Sequence, residues 1–171
     1  MTLNLIVACE ENGGIGFENT LPWPKLLSDM KWFKNHTMNN ICIMGSNTWH
    51  SLPTSFKPLP NRVNVIFSSQ RDVKYDSADV VLNGGRNAAA VSFLEKKYPK
   101  KDIYIIGGKT IYETWLEDVD MIHITRIKSS FKCDTFLDLK TLLKGSSLKY
   151  SKQANDRNIP YTMETYQCKS T

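Results

Sequence analysis

The 171-residue sequence has no long hydrophobic run: the longest uninterrupted apolar stretch covers residues 5–9, far short of the roughly 20 residues that cross a bilayer. No basic segment precedes that stretch and Glu10 follows it, unlike a secretory leader, so a cytoplasmic protein without membrane association is expected. Cysteine is sparse. Cys9, Cys42, Cys133 and Cys168 form no CxxC pair and have no histidine at ligand spacing, which argues against a zinc or redox site. They read as small core side chains in a reducing compartment, and no metal is expected. Repeats, low-complexity tracts, Ser/Gly linkers and shifts in composition are all missing, so residues 1–171 are expected to form a single domain. There is also no block of like charge. The balance of 22 basic against 17 acidic side chains, +5 overall, is spread along the chain, which suits small anionic partners better than nucleic acid.

What is present is a regular alternation. Short, β-branched segments bounded by turn residues occur at 3–9, 41–44, 63–68, 80–82 and 103–106 and read as strands apolar on both sides. Helical stretches at 26–37, 86–97 and 110–116 lie between them, an order that favours parallel pairing with helices on both faces. The end of the chain changes character, with strands at 120–128, 149–153 and 161–168 and no helix between them. The turn-rich Asn155-Asp-Arg-Asn158 can close the last two into an antiparallel hairpin. The fold class is therefore α/β with a mixed sheet.

Four constellations could carry chemistry, and each has a plain structural alternative. Helical spacing puts Asp29, Phe33 and Thr37 on one face with Met30 alongside, a carboxylate in an apolar stripe. Such a group needs a partner and fits two adjacent N–H donors of a ligand, or else it sits exposed in the first helical turn. Ile105-Ile106-Gly107-Gly108-Lys109-Thr110 runs from buried strand through two glycines into a helix, suited to a phosphate or simply a tight turn. Met44-Gly45-Ser46-Asn47-Thr48-Trp49 repeats that pattern, with side chains able to cap the helix. Two such helix starts along one sheet edge are what a dinucleotide requires. Lastly, Asn12-Gly-Gly-Ile-Gly16 leading to Leu21-Pro-Trp-Pro24 reads as a mobile flap, or as an ordinary surface loop. Arg62 follows the stiff Pro58-Leu59-Pro60 and could grip a carboxylate or be solvated.

Taken in order, the series resembles dihydrofolate reductase over nearly the whole chain. The residues that carry the resemblance are Ile15-Gly16, Leu21-Pro22-Trp23, Asp29 before Trp32-Phe33, Met44-Gly45 with Thr48-Trp49, Pro58-Leu59-Pro60 with Arg62, Ser68-Ser69, Ile106-Gly107-Gly108 with Ile111-Tyr112, Thr125 and Asp134-Thr135-Phe136. The resemblance implies a three-layer sandwich: a mixed, mostly parallel eight-stranded sheet, an antiparallel C-terminal hairpin and about four flanking helices. It also implies a cis Gly107–Gly108 peptide. The implied reaction is NADPH-dependent reduction of 7,8-dihydrofolate to tetrahydrofolate, serving one-carbon metabolism and open to antifolate inhibition, in a monomer.

Asp29 would hold the 2-amino group and N3 of the pterin, with water protonating N5, while Leu21 on the flap, Trp23, Thr125 and Tyr112 complete the catalytic set. Ile6, Val7, Met30, Phe33, Leu52, Leu59, Ile106 and Tyr112 would wall the substrate, and Arg62 would clamp the glutamate α-carboxylate. The cofactor would run over Ala8, Ile15, Gly16, Gly45, Ser46, Asn47, Thr48, Ser68, Ser69, Arg71, Gly107, Gly108, Lys109, Thr110, Ile111, Tyr112 and Thr135. The sequence departs from many members at Ser46-Asn47, where basic residues commonly meet the 2′-phosphate, leaving Arg71 or Arg86 to supply charge. Two other readings stand beside this one. A riboflavin-pathway-type reductase would act on a substrate with no glutamate tail for Arg62 to hold, and a non-catalytic nucleotide- or nucleic-acid-binding module would use the +5 charge.

Overall fold

The computed structural model describes residues 1–169. In chain order the elements are β1 (Leu3–Glu10), β2 (Gly14–Gly16), α1 (Leu27–Thr37), β3 (Ile41–Met44), α2 (Ser46–Ser51), β4 (Val63–Phe67), β5 (Val80–Leu82) and α3 (Asn87–Lys97). There follow β6 (Ile103–Gly107), α4 (Lys109–Trp115), β7 (Met121–Ile127), β8 (Thr135–Phe136), α5 (Leu139–Leu143), β9 (Ser147–Asp156) and β10 (Ile159–Gln167). Eight strands form one sheet in the order β5-β4-β3-β6-β1-β7-β10-β9, parallel from β5 to β7 and antiparallel for the last two. The mixed sheet and its C-terminal hairpin match the expected fold.

The two-sided apolar character of the central strands has a direct cause. Along β3, Ile41 and Ile43 join the core on one face with Leu5, Val7, Ile105 and Trp115, while Cys42 and Met44 join Trp49, Leu59 and Ile66 on the other. Side chains alternate across a strand, so a strand covered on both faces must be apolar throughout.

Three features differ from the sequence reading. Among the described residues there are five α-helices where about four were expected; the additional one, α5, is only five residues long, its start marked by Asp138, whose carboxylate accepts the amides of Lys140 and Thr141. β9 extends over ten residues instead of the expected 149–153 because it is an edge strand, exposed along most of its length, where polar residues mask the strand period. Only Cys9 and Cys42 are core side chains; Cys133 and Cys168 are half-buried, and all four thiols are free. The hairpin closes in two residues. Arg157 and Asn158 have φ of 53° and 61°, the left-handed pair of a type I′ turn.

One polar strip crosses the face of the sheet beneath α1. Asn4 donates to the carbonyls of Thr2 (3.1 Å) and Ile103 (3.2 Å), so its Oδ1 accepts from Nε2 of His123 at 3.2 Å. Nδ1 of His123 lies 2.9 Å from the Thr165 hydroxyl, which it accepts when the imidazole is neutral. His36 of α1 lies against it, the rings tilted by 36° with centroids 4.0 Å apart. Burial, with His36 adding to it, pushes His123 down to about 3. In the unfolded chain a histidine titrates near 6.5. The unfolded state therefore binds the proton more readily, and this contribution to stability is complete above about pH 6.5 and is lost as the pH falls toward 3. Urea unfolding at pH 7 and pH 5 should show a loss of about 2 kcal/mol from this group, and His123→Gln should remove most of that slope; an unchanged slope would contradict the assignment.

Candidate active site

The cleft begins where two central strands part. β1 pairs with β6 only from Leu3↔Ile103 to Leu5↔Ile105, whereas its pairing with β7 continues to Glu10↔Ile127. Beyond Leu5 the main chain at Ile6, Val7 and Ala8 separates from that at Ile106, Gly107 and Gly108. The Tyr112 hydroxyl bridges the gap, 2.9 Å from the Ile6 carbonyl and 2.8 Å from the Ile106 carbonyl, with one proton to share between them. Tyr112 is buried, and burial raises its pKa, keeping it a neutral donor.

Helix α1 lies along one side of this opening. Asp29 is in its first turn, as one reading of the sequence expected, and is half-buried, as the other required. Burial raises its pKa and the neighbouring Thr125 hydroxyl opposes that rise. Thr125, 1% exposed, stands on β7 opposite Ala8. Among the described residues no cation lies within ion-pair distance of Asp29. Trp23 is buried in a cluster with Leu26, Ile127, Tyr161 and Met163.

The apolar wall is assembled from three segments. Phe33, Leu52 and Ile106 pack, partly buried, against Leu59 and its neighbours. Met30 and Leu21 remain 41% and 62% exposed at the cleft's rim. Val7 and Ile111 turn their side chains into the main core, so only their main chain is free to meet a ligand. Arg62 is held as expected of the stiff segment before it: Nε donates to Thr37 Oγ1 at 3.2 Å and Nη1 to the Pro60 carbonyl at 2.8 Å. It has no carboxylate partner among the described residues. Because Arg62 bonds to Thr37, the last residue of α1, and Asp29 lies eight residues before Thr37, the helix sets a carboxylate and a guanidinium roughly 12 Å apart along its axis.

On the opposite side the two glycine turns meet. The Gly45 amide donates to the Gly107 carbonyl at 2.8 Å, and a side chain at Gly108 would stand 3.5 Å from Thr48 Oγ1. A side chain at Gly45 would come within 2.9 Å of Ile111. The Gly107–Gly108 peptide is cis, and so is Lys57–Pro58. Contrary to the capping expected of Ser46, Asn47 and Thr48, helix α2 starts from Gly45 with no side-chain cap, and α4 starts likewise from Gly108. The amides of both first turns are thus open to an outside acceptor. Ser46 and Thr48 are half-buried and Asn47 exposed. Lys109 and Thr110 are exposed, Lys109 pairing with Glu113 at 3.8 Å. At the end of β4 the Ser68 hydroxyl is occupied by Tyr75 (3.2 Å) and the Gln70 amide (3.1 Å), while Ser69 and Arg71 are exposed. The parallel order of β5, β4, β3 and β6 delivers all these segments to one sheet edge.

The expected flap is fastened. β2 pairs with β8, the Asp134 amide donates to the Gly16 carbonyl at 2.9 Å, and Asp134 Oδ2 accepts the Glu18 amide at 2.8 Å. Ile15 packs against the main core and the Thr135 hydroxyl donates to Asp134. A side chain at Gly14 would run into Cys133. Two residues important here escaped the sequence reading. Glu10, 1% exposed, accepts the amides of Asn12 (2.9 Å) and Gly14 (2.8 Å); an acid directly before Asn-Gly-Gly was the available signal. Asn64 grips Leu59 through both its oxygen (2.8 Å) and its amide (3.0 Å), and its signal was a polar residue inside an apolar strand.

Comparison with known proteins bears directly on this geometry. A sequence profile described as dihydrofolate reductase matches residues 2–168. The chain is 40% identical over 140 residues to dihydrofolate reductase type 9 of Escherichia coli, covering 81% of this chain and 77% of that one. Against dihydrofolate reductase of Sus scrofa it is 31% identical over 180 residues, 96% and 97% of the two chains. It also matches the bifunctional dihydrofolate reductase-thymidylate synthase of Paramecium tetraurelia at 37% identity, spanning 33% of that longer protein. With its split central strands, helix-borne carboxylate and paired glycine turns, the chain belongs to the dihydrofolate reductase family.

Proposed function

We propose that this chain reduces 7,8-dihydrofolate to 5,6,7,8-tetrahydrofolate with NADPH, as one catalytic domain acting as a cytoplasmic monomer without nucleic-acid partners. The observation that carries the reading is Asp29, a half-buried carboxylate, facing a cleft whose far end holds Arg62, neither of them with an ion-pair partner among the described residues. Dihydrofolate carries the complementary chemistry: two N–H donors on its pterin edge and a carboxylate on its glutamate tail. Among the described residues, no helix is long and apolar enough to cross a membrane.

The residues at the glycine turns fit a dinucleotide phosphate. Their helix starts are uncapped, and Gly45 leaves a close approach that a side chain would fill. Ser46, Asn47, Thr48, Ser69, Lys109 and Thr110 would hold the cofactor there, with Arg71 meeting the 2′-phosphate in place of the uncharged Ser46-Asn47. When bound there, NADPH would supply the hydride for reduction of the pterin.

The rest of the work falls to the protein's own groups. Asp29 binds the 2-amino group and N3 as a charge-assisted pair and favours the N5-protonated form of the substrate. Burial raises the cost of leaving this carboxylate unpaired, which makes the pairing selective. Thr125 orients Asp29, and Trp23 helps order the water that protonates N5. Phe33, Leu52, Leu59 and Ile106 exclude other water, while Tyr112 keeps the carbonyls of Ile6 and Ile106 in place at the parted strands. Arg62 fixes the tail.

Absorbance near 340 nm should fall when purified protein, NADPH and dihydrofolate are combined. It should fall more slowly with NADH and stop on addition of an antifolate; oxidation without dihydrofolate, or equal kcat/KM for the two cofactors, goes against the assignment. Asp29→Asn should lose most turnover at neutral pH while keeping NADPH affinity, and its residual rate should rise as the pH is lowered, because solvent acid then protonates the substrate; wild-type turnover would misplace the site. Arg62→Leu should raise KM for dihydrofolate by about 10- to 100-fold, the loss of a charge-assisted bond of about 1.5–3 kcal/mol, and an unaltered KM would remove Arg62 from the site.

A further inference from the structure

The first turn of a helix leaves amide groups in need of acceptors, and the chain before α1 provides none. Its N-cap residue is Leu26, and no side-chain cap is made there. The acceptor comes from the other end of the molecule. Oδ2 of Asp156, the last residue of β9 and 128 positions further along the chain, accepts the Ser28 amide at 3.1 Å. The Leu27 amide faces the same carboxylate. Tyr161 of β10 donates its hydroxyl to that Oδ2, and its own oxygen faces the Asp29 amide and the Ser28 side chain. Leu27, Ser28 and Asp29 are the first three residues of α1, so the hairpin meets the helix at its opening turn, with the Ser28 amide hydrogen-bonded to Asp156.

The local electrostatics agree. Hydrogen bonds from Tyr161 and from the Ser28 amide hold the Asp156 carboxyl below the usual carboxylate range, keeping it an anion at the positive end of the helix dipole. Its place is set by the type I′ turn, because Asp156 pairs with Ile159 immediately across Arg157 and Asn158. Tyr161 is anchored independently, 1% exposed in the cluster that contains Trp23 and Leu26.

We propose that Asp156, oriented by Tyr161, is a positioning residue for Asp29: the C-terminal hairpin supplies the missing cap of α1 and so fixes where the substrate-binding carboxylate stands. The inference rests on the reading of Asp29 as the partner of the pterin. Asp156 acts only through the main chain of the first turn. Its removal should therefore change dihydrofolate binding without changing cofactor binding.

Steady-state kinetics on the full chain test this. Asp156→Ala should raise KM for dihydrofolate about tenfold, the scale of a lost helix cap, with KM for NADPH within about twofold of wild type. Asp156→Asn keeps a capping oxygen and should restore most of the loss. A purely structural role would move both KM values or neither, and either pattern overturns the proposal. Asp29→Asn is assayed alongside. If it turns over normally, the reading of Asp29 fails; if it is impaired while Asp156→Ala leaves KM for dihydrofolate unchanged, the positioning role alone fails. Should Asp156→Ala not fold, Tyr161→Phe removes only the orienting hydroxyl. It should raise the same KM about threefold on the same reasoning, and no change would again overturn the role.

Discussion

The parting of β1 from β6 after Leu5 and Ile105 is the constraint on which the candidate site depends. A parallel sheet ordinarily satisfies its main-chain groups by continuous pairing with neighbours. Here the pairing stops while β1 continues along β7 and β6 continues along β3, so both strands stay anchored on their outer sides. The opening is therefore bordered by paired strands on both sides. Its unpaired main chain can face a planar ligand instead of a neighbouring strand, and Tyr112 ties the two banks together through carbonyls that the sheet no longer uses.

Charge is placed on that frame sparingly. Helix α1 carries a carboxylate in its first turn and, through Thr37 in its last, holds a guanidinium supplied by the loop before β4. Between them lies a wall of Phe33, Leu52, Leu59 and Ile106. Opposite charges at the two ends of an apolar surface define both the direction and the length of what can lie along it. Among the described residues neither charge has an ion-pair partner, so each keeps its demand for an outside partner.

Much of this was legible along the chain because it is local. The apolar runs at 41–44 and 103–106, the glycines that end them and the helical period after Pro24 are properties of adjacent residues, and they led to elements that the structure shows. What escaped was of two kinds. β9 is polar because it is an edge strand, and α5 is a single short turn, so neither leaves a clear hydrophobic period. Glu10 and Asn64 were missed because a polar side chain's importance depends on which amides it meets, and composition does not reveal that. Likewise, Ser46, Asn47 and Thr48 have the chemistry of helix caps, yet Gly45 occupies the cap position.

By itself, the sequence determined the order of the main strands and longer helices, the absence of a long apolar span and the residue types at each turn, since these follow from period, composition and the conformational limits of glycine and proline. Only the tertiary structure decided which strands part, how deeply Asp29 is buried, that Arg62 reaches Thr37, and that Asp156 meets Ser28 across 128 residues. Those outcomes depend on packing between distant segments, where a contact of a few ångströms is set by the whole fold and by no stretch of neighbouring residues.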